Sequence, residues 1–139
     1  MVRGWMPVGL GVALLAAGLV ACGDDDGTIE ISALDDFRFD PDEVTVQAGE
    51  EVTFVITNDG EIVHEFVLGP EMVQMAHEEA MAQGEEMDMD MEGQLAAVEL
   101  EPGETSEVTV TFPEPGEMTY GCHEPGHFDA GMFGTVIVE

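Results

Sequence analysis

The chain has 139 residues, of which 31 are Asp or Glu and only 2 are Lys or Arg, for a formal net charge of −29. A surface of that sign repels nucleic-acid phosphates and anionic lipid headgroups, which excludes nucleic-acid binding, and it draws basic partners and cations. Hydrophobic residues still make up 45% of the chain, enough for one core at this length and too many for a disordered acidic tail.

The first segment, Met1–Ala21, carries Arg3 and then an apolar run from Trp5 to Ala21 that is broken by Pro7 and several glycines. It is short for a spanning helix and fits the core of a signal peptide. The run ends in Leu19-Val20-Ala21-Cys22, which resembles a bacterial lipobox, so Cys22 is expected to be acylated and to begin the mature protein. Residues 22–28, with Gly23-Asp24-Asp25-Asp26-Gly27, read as a tether reaching at most roughly 20 Å from the membrane. The expected location is the periplasm or the outer cell surface. With Cys22 acylated, Cys122 has no disulfide partner, and a lone thiol in an oxidising compartment points to metal ligation.

From residue 29 to 139 the chain reads as one all-β domain. Apolar residues alternate in Thr28–Leu34, Glu43–Gln47, Glu51–Thr57, Ile62–Leu68, Gln94–Leu100, Ser106–Phe112, Met118–Cys122 and Thr135–Val138. Turn chemistry separates them at Ala48-Gly49-Glu50, Pro102-Gly103-Glu104 and Pro115-Gly116-Glu117. About eight strands at this spacing imply a sandwich or barrel.

Residues 70–93 break the β pattern. Helix formers run from Glu71 to Gln83 behind Pro70, which suits a first helical turn. Glu85–Glu92 is then too acidic to pack closely, so the insertion reads as a Met-rich helix followed by a mobile loop.

The chemistry is concentrated near the C-terminus, where Cys122, His127 and Met132 recur at five-residue intervals in a loop containing Pro125, Gly126 and Gly131. A thiolate, an imidazole and a thioether around one point select copper, since zinc sites seldom use thioethers. A second imidazole must come from elsewhere, and His64 is the candidate because it alone among the histidines lies in a strand-like run. His77 belongs to the insertion, and His123, a loop residue between acids, is expected to be solvated. One copper ion cycling between Cu(I) and Cu(II) is therefore expected on His64, Cys122, His127 and Met132.

These features resemble the cupredoxins, the small blue copper proteins that include plastocyanin, azurin and auracyanin. The likeness rests on the Cys-x4-His-x4-Met loop ahead of Gly134-Thr135-Val136-Ile137-Val138 and on His64 after paired strands. It implies a Greek-key β-sandwich with the metal at one end, His64, Cys122 and His127 in the trigonal plane and Met132 axial. It also implies electron transfer through the edge of His127, framed by Pro125, Ala130 and Phe133, to a basic redox partner. Members of that family often carry an asparagine beside the first histidine; here that residue is Glu65. The insertion is also larger than such carriers require.

The alternative is copper sequestration or delivery, with a secondary site among Met72, Met75, His77, Met81, Met87, Met89 and Met91. Thioethers suit Cu(I), and His77 and Met81 share a helical face. No enzyme activity is expected, because four histidines are too few for a second catalytic copper site. A monomer is expected.

Overall fold

The computed structural model describes residues 27–84 and 91–139, together with the backbone of 21–22. The expected signal peptide, most of the tether, the side chain of Cys22 and the acidic stretch Glu85–Asp90 with Met87 and Met89 lie outside the described residues. Among those described, no helix is long and apolar enough to cross a membrane.

Among the described residues a two-residue strand β1 (Ala21–Cys22) is followed by nine strands and one helix: β2 (Thr28–Leu34), β3 (Arg38–Asp40), β4 (Glu43–Val46), β5 (Glu51–Asn58), β6 (His64–Gly69), α1 (Glu71–Gln83), β7 (Ala96–Leu100), β8 (Thr105–Thr111), β9 (Gly116–Gly121) and β10 (Phe133–Val138). One sheet runs in the order β1-β4-β10-β9-β6-β7, and the other β3-β2-β5-β8. The chain crosses between sheets repeatedly, so β2 lies parallel to β5 and β4 parallel to β10 although most neighbours are antiparallel. This is the expected Greek-key sandwich with a helical insertion.

The reason lies in the period-two pattern. In β5, Val52, Phe54, Ile56 and Asn58 are buried while Thr53, Val55 and Thr57 are partly exposed, and β2 alternates in the same way with Ile29, Ile31 and Ala33 inward. Each buried aliphatic or aromatic side chain contributes about 1.5–3 kcal/mol of transfer free energy. Between the sheets Phe39 meets Tyr120 and Phe66 edge-on at 5.4 and 6.0 Å, and Phe54 packs on Phe66 at 5.9 Å. Strand β3 is an addition to the expected set: it is three residues long with only Phe39 buried, too short to show an alternation.

Strand β6 is buried on both faces, with Phe66, Val67, Leu68 and Gly69 all inaccessible. Its outer face is covered by α1, which packs on β6 and β9. The helix starts after Pro70 as expected and ends at Gly84, whose left-handed conformation (φ 69°) lets its N–H return to Met81. Close approach is possible because β9 ends in Gly121. A Cβ there would sit 2.7 Å from the Phe128 ring and 2.8 Å from Gln74 Oε1.

Candidate metal centre

The expected ligand residues come from three places in the chain. His64 opens β6, Cys122 follows β9, and His127 and Met132 lie in the loop leading to β10. Local backbone bonds coil that loop. His127 N–H donates to Glu124 O at 2.9 Å, Met132 N–H to His127 O at 3.0 Å, and Cys122 N–H to Met132 O at 3.0 Å. The five-residue spacing is thereby converted into proximity, and pairing of Gly121 with Phe133 in β9 and β10 closes the loop at its base.

Nδ1 of His127 lies 3.3 Å from Cys122 Sγ, and Nδ1 of His64 lies 3.9 Å from it. The three donor atoms are all within 4.8 Å of one another. Two such ligands held about 2.0–2.3 Å from one ion at a trigonal angle lie roughly 3.6 Å apart, so the observed separations bracket what a single ion requires. His64, Cys122 and Met132 are fully buried and His127 is half-buried. Thiol, two imidazoles and a buried thioether form the soft donor set that suits copper.

Burial disfavours charge on the Cys122 and His127 donors themselves. Burial pushes the Cys122 thiol up to about 11, against N–H donation from Glu65 and Glu124. The Glu65 N–H reaches the sulfur at 3.3 Å. A metal ion supplies the charge that burial withholds and deprotonates such a thiol outright. Burial and the neighbouring His64 lower His127, which keeps its imidazole neutral and its lone pair available.

Glu65 stands beside His64, at the position where the likeness notes an asparagine in many members. Its carboxyl accepts the backbone N–H of His123, beside Cys122. Its Oε2 is buried without a partner, and burial together with Glu124 and Glu99 pushes the carboxyl up to about 7. A carboxyl held toward its neutral form resembles the amide it replaces.

His123 is a correction to the expectation of a solvated loop residue, for it is completely buried. Its Nε2–H donates to Gln74 Oε1 at 2.7 Å, and Nδ1 lies 2.7 Å from Glu78 Oε1. The ring stacks between His77 and Phe128, at 5.2 and 4.8 Å. Local sequence carried little signal of this, since apart from Phe128 the covering residues named here belong to the insertion.

Of the expected secondary-site residues, Met72, Met75, His77, Met81 and Met91 are described, and they differ in exposure. Met72 and Met75 face solvent, 77% and 65% exposed. His77 faces inward, with Nε2 2.7 Å from Gln94 Oε1, and Met81 and Met91 are half-buried. The helix thus separates His77 from the two exposed thioethers. In the ligand loop Pro125, Ala130 and Phe133 are exposed, and Phe37 packs on the His127 ring at 4.6 Å. Phe37 and Asp35, which reaches His64, were not legible in the sequence as parts of the site.

A Greek-key sandwich that brings two imidazoles, a thiol and a buried methionine to one end defines a cupredoxin, a mononuclear copper protein of the blue type. The chain belongs to the plastocyanin/azurin family of copper-binding proteins, whose family model matches residues 27–139. It is 40% identical over 111 residues to the copper-resistant cuproprotein CopI of Rubrivivax gelatinosus, covering 80% of this chain and 66% of that protein. It is 31% identical over 138 residues to the protein of the same name from Pseudomonas aeruginosa, covering 81% of this chain and 76% of the relative. Among solved structures it is similar to dithionite-reduced auracyanin from Roseiflexus castenholzii, with a TM-score of 0.73 and 29% identity over 81% of this chain and 97% of the other.

Proposed function

We propose that this chain is an extracytoplasmic electron carrier whose one copper ion is held by His64, Cys122, His127 and Met132. Bound copper would supply a Cu(I)/Cu(II) couple. The observation that carries the reading is the unequal burial of the donors: three are sealed in the protein and His127 alone reaches the surface. Sealed donors tied by backbone hydrogen bonds keep their positions when the charge at the site changes. The exposed edge of His127, with Pro125, Ala130 and Phe133 beside it, offers an apolar contact for a transient redox partner. The acidic surface beyond would orient a basic docking face and speed encounter. Export with an acylated Cys22, a monomeric state and the absence of enzymatic turnover complete the proposal.

Titration of the purified domain with Cu(II) tests it. An intense blue band that saturates at one equivalent and is lost in Cys122→Ser is expected, as is partner reduction that slows steeply with added salt. A colourless complex would overturn the site, and salt-independent transfer would overturn the electrostatic docking.

A second reading has its own support. The CopI relatives are named for copper resistance, and Met72 and Met75 present two exposed thioethers on α1. On this reading the protein sequesters or delivers copper, with those methionines as an additional Cu(I) contact.

A further inference from the structure

The turn between β2 and β3 touches both histidines of the site. From it Asp35 Oδ1 lies 3.1 Å from His64 Nε2, and the ring of Phe37 packs on His127 at 4.6 Å. Phe37 holds a left-handed backbone conformation (φ 60°), which is unfavourable for a bulky side chain and is sustained here by its surroundings. Its N–H donates to Leu34 O at 3.1 Å, so the turn is closed at the residue preceding Asp35.

Asp35 is held as firmly from the other side. Its Oδ2 accepts the Glu61 N–H at 2.7 Å, and the loop carrying Glu61 is itself fixed by Asn58. Asn58 accepts the Gly60 N–H at 2.9 Å and donates to Ile62 O and Leu100 O at 2.8 and 2.9 Å. Position 60 must be glycine for this arrangement, because a Cβ there would overlap the Asp35 carboxylate. The carboxylate is 38% exposed, yet the imidazole it meets is completely buried.

A carboxylate only accepts, so a contact with His64 Nε2 requires the proton on that nitrogen. Nδ1 is then left bare, and Nδ1 is the atom that faces Cys122 Sγ. An outer carboxylate on a ligating imidazole fixes the tautomer and raises the basicity of the donor nitrogen.

We propose that Asp35 is a positioning residue of this site: it selects the His64 tautomer with a free Nδ1, and its negative charge favours Cu(II) over Cu(I). The inference rests on the copper reading given above. It makes the β2–β3 turn a determinant of reduction potential, although the turn contributes no ligand.

Two measurements test it. In the metal-free chain, nitrogen-15 shifts of the His64 ring should show a protonated Nε2 and a bare Nδ1; the opposite tautomer overturns the proposal without any variant having to fold. In the copper-loaded chain, Asp35→Asn should lower the preference for Cu(II) about ten-fold, which is a rise of about 59 mV in midpoint potential. Gly60→Ala, which displaces the carboxylate while leaving net charge unchanged, should shift the potential in the same direction. Asp36→Asn removes a neighbouring charge paired with Arg38 and should shift it much less. Equal shifts for Asp36→Asn and Asp35→Asn, or no shift in Asp35→Asn with the blue band intact, would overturn the proposal and leave the copper reading standing. Absence of the blue band in the unaltered chain would remove that reading first.

Discussion

Gln74 on α1 holds His123 in the ligand loop through a 2.7 Å contact from Oε1 to Nε2, while its own Nε2 donates to Thr119 O at 2.8 Å and Val67 O at 3.1 Å. One side chain therefore joins the inserted helix, two strands and the residue after Cys122. The insertion is part of the site's foundation, and removing it whole would strip His123 of Gln74 and Glu78 together.

Gln74→Ala leaves the buried His123 Nε2–H and the carbonyls of Val67 and Thr119 without this partner. One buried group left unsatisfied costs about 1–3 kcal/mol, and a loss at the upper end of that range is expected. Urea unfolding of the metal-free chain measures it. An unchanged midpoint would show that the helix does not brace the loop.

Glu65 faces Glu99 directly across the β6–β7 pair, and Glu124 lies in the same cluster. Like charges directly opposite are destabilising, so Glu65→Gln, which keeps an acceptor for the His123 N–H, should stabilise the metal-free chain by about 0.5–1 kcal/mol. Glu65→Ala should instead destabilise it, because that N–H loses its acceptor. Thermal melts of the two variants at pH 8 should move in opposite directions.

Tyr120 is the single tyrosine of the chain; its phenol is buried and donates to Pro41 O at 2.7 Å. Burial, with Asp42, Glu43 and Asp40 nearby, raises its pKa far above the ordinary value. The unfolded phenol ionises near pH 10, so the stabilisation it contributes is complete below about pH 10 and is lost as pH rises beyond it. Phenolate absorbance should be absent from the folded chain at pH 10.5 and appear on addition of urea. A normal titration without unfolding would contradict the burial.

Met72 and Met75 separate the two functional readings. Substitution of both by leucine keeps helix propensity and leaves the Gln74 contacts intact. Under electron transfer alone, copper stoichiometry under reducing conditions stays at one equivalent in both proteins. Under copper handling, the parent chain takes up more than one, and the excess disappears in the double variant.

The amino-acid order made most strands legible because apolar and polar residues alternate along them, as in β2 and β5. Strand β3 has one buried side chain and no period to detect. The strand expected from Ile62 begins only at His64, because Asn58 ties residues 60–62 into a loop. His123 is followed by Glu124-Pro125-Gly126 in sequence, and much of its cover comes from α1, which starts about fifty residues earlier.

Cys122, His127 and Met132 could be read as a set from the chain alone, since their mutual distance is settled by one short loop with its own turns. His64 could be inferred only by asking what that loop lacked. Asp35, Phe37, Gln74 and Glu65 acquired their roles when the sheets closed and the insertion folded over β6 and β9. Spacing along a chain encodes contacts within a loop, whereas a contact between distant segments depends on how the whole core packs.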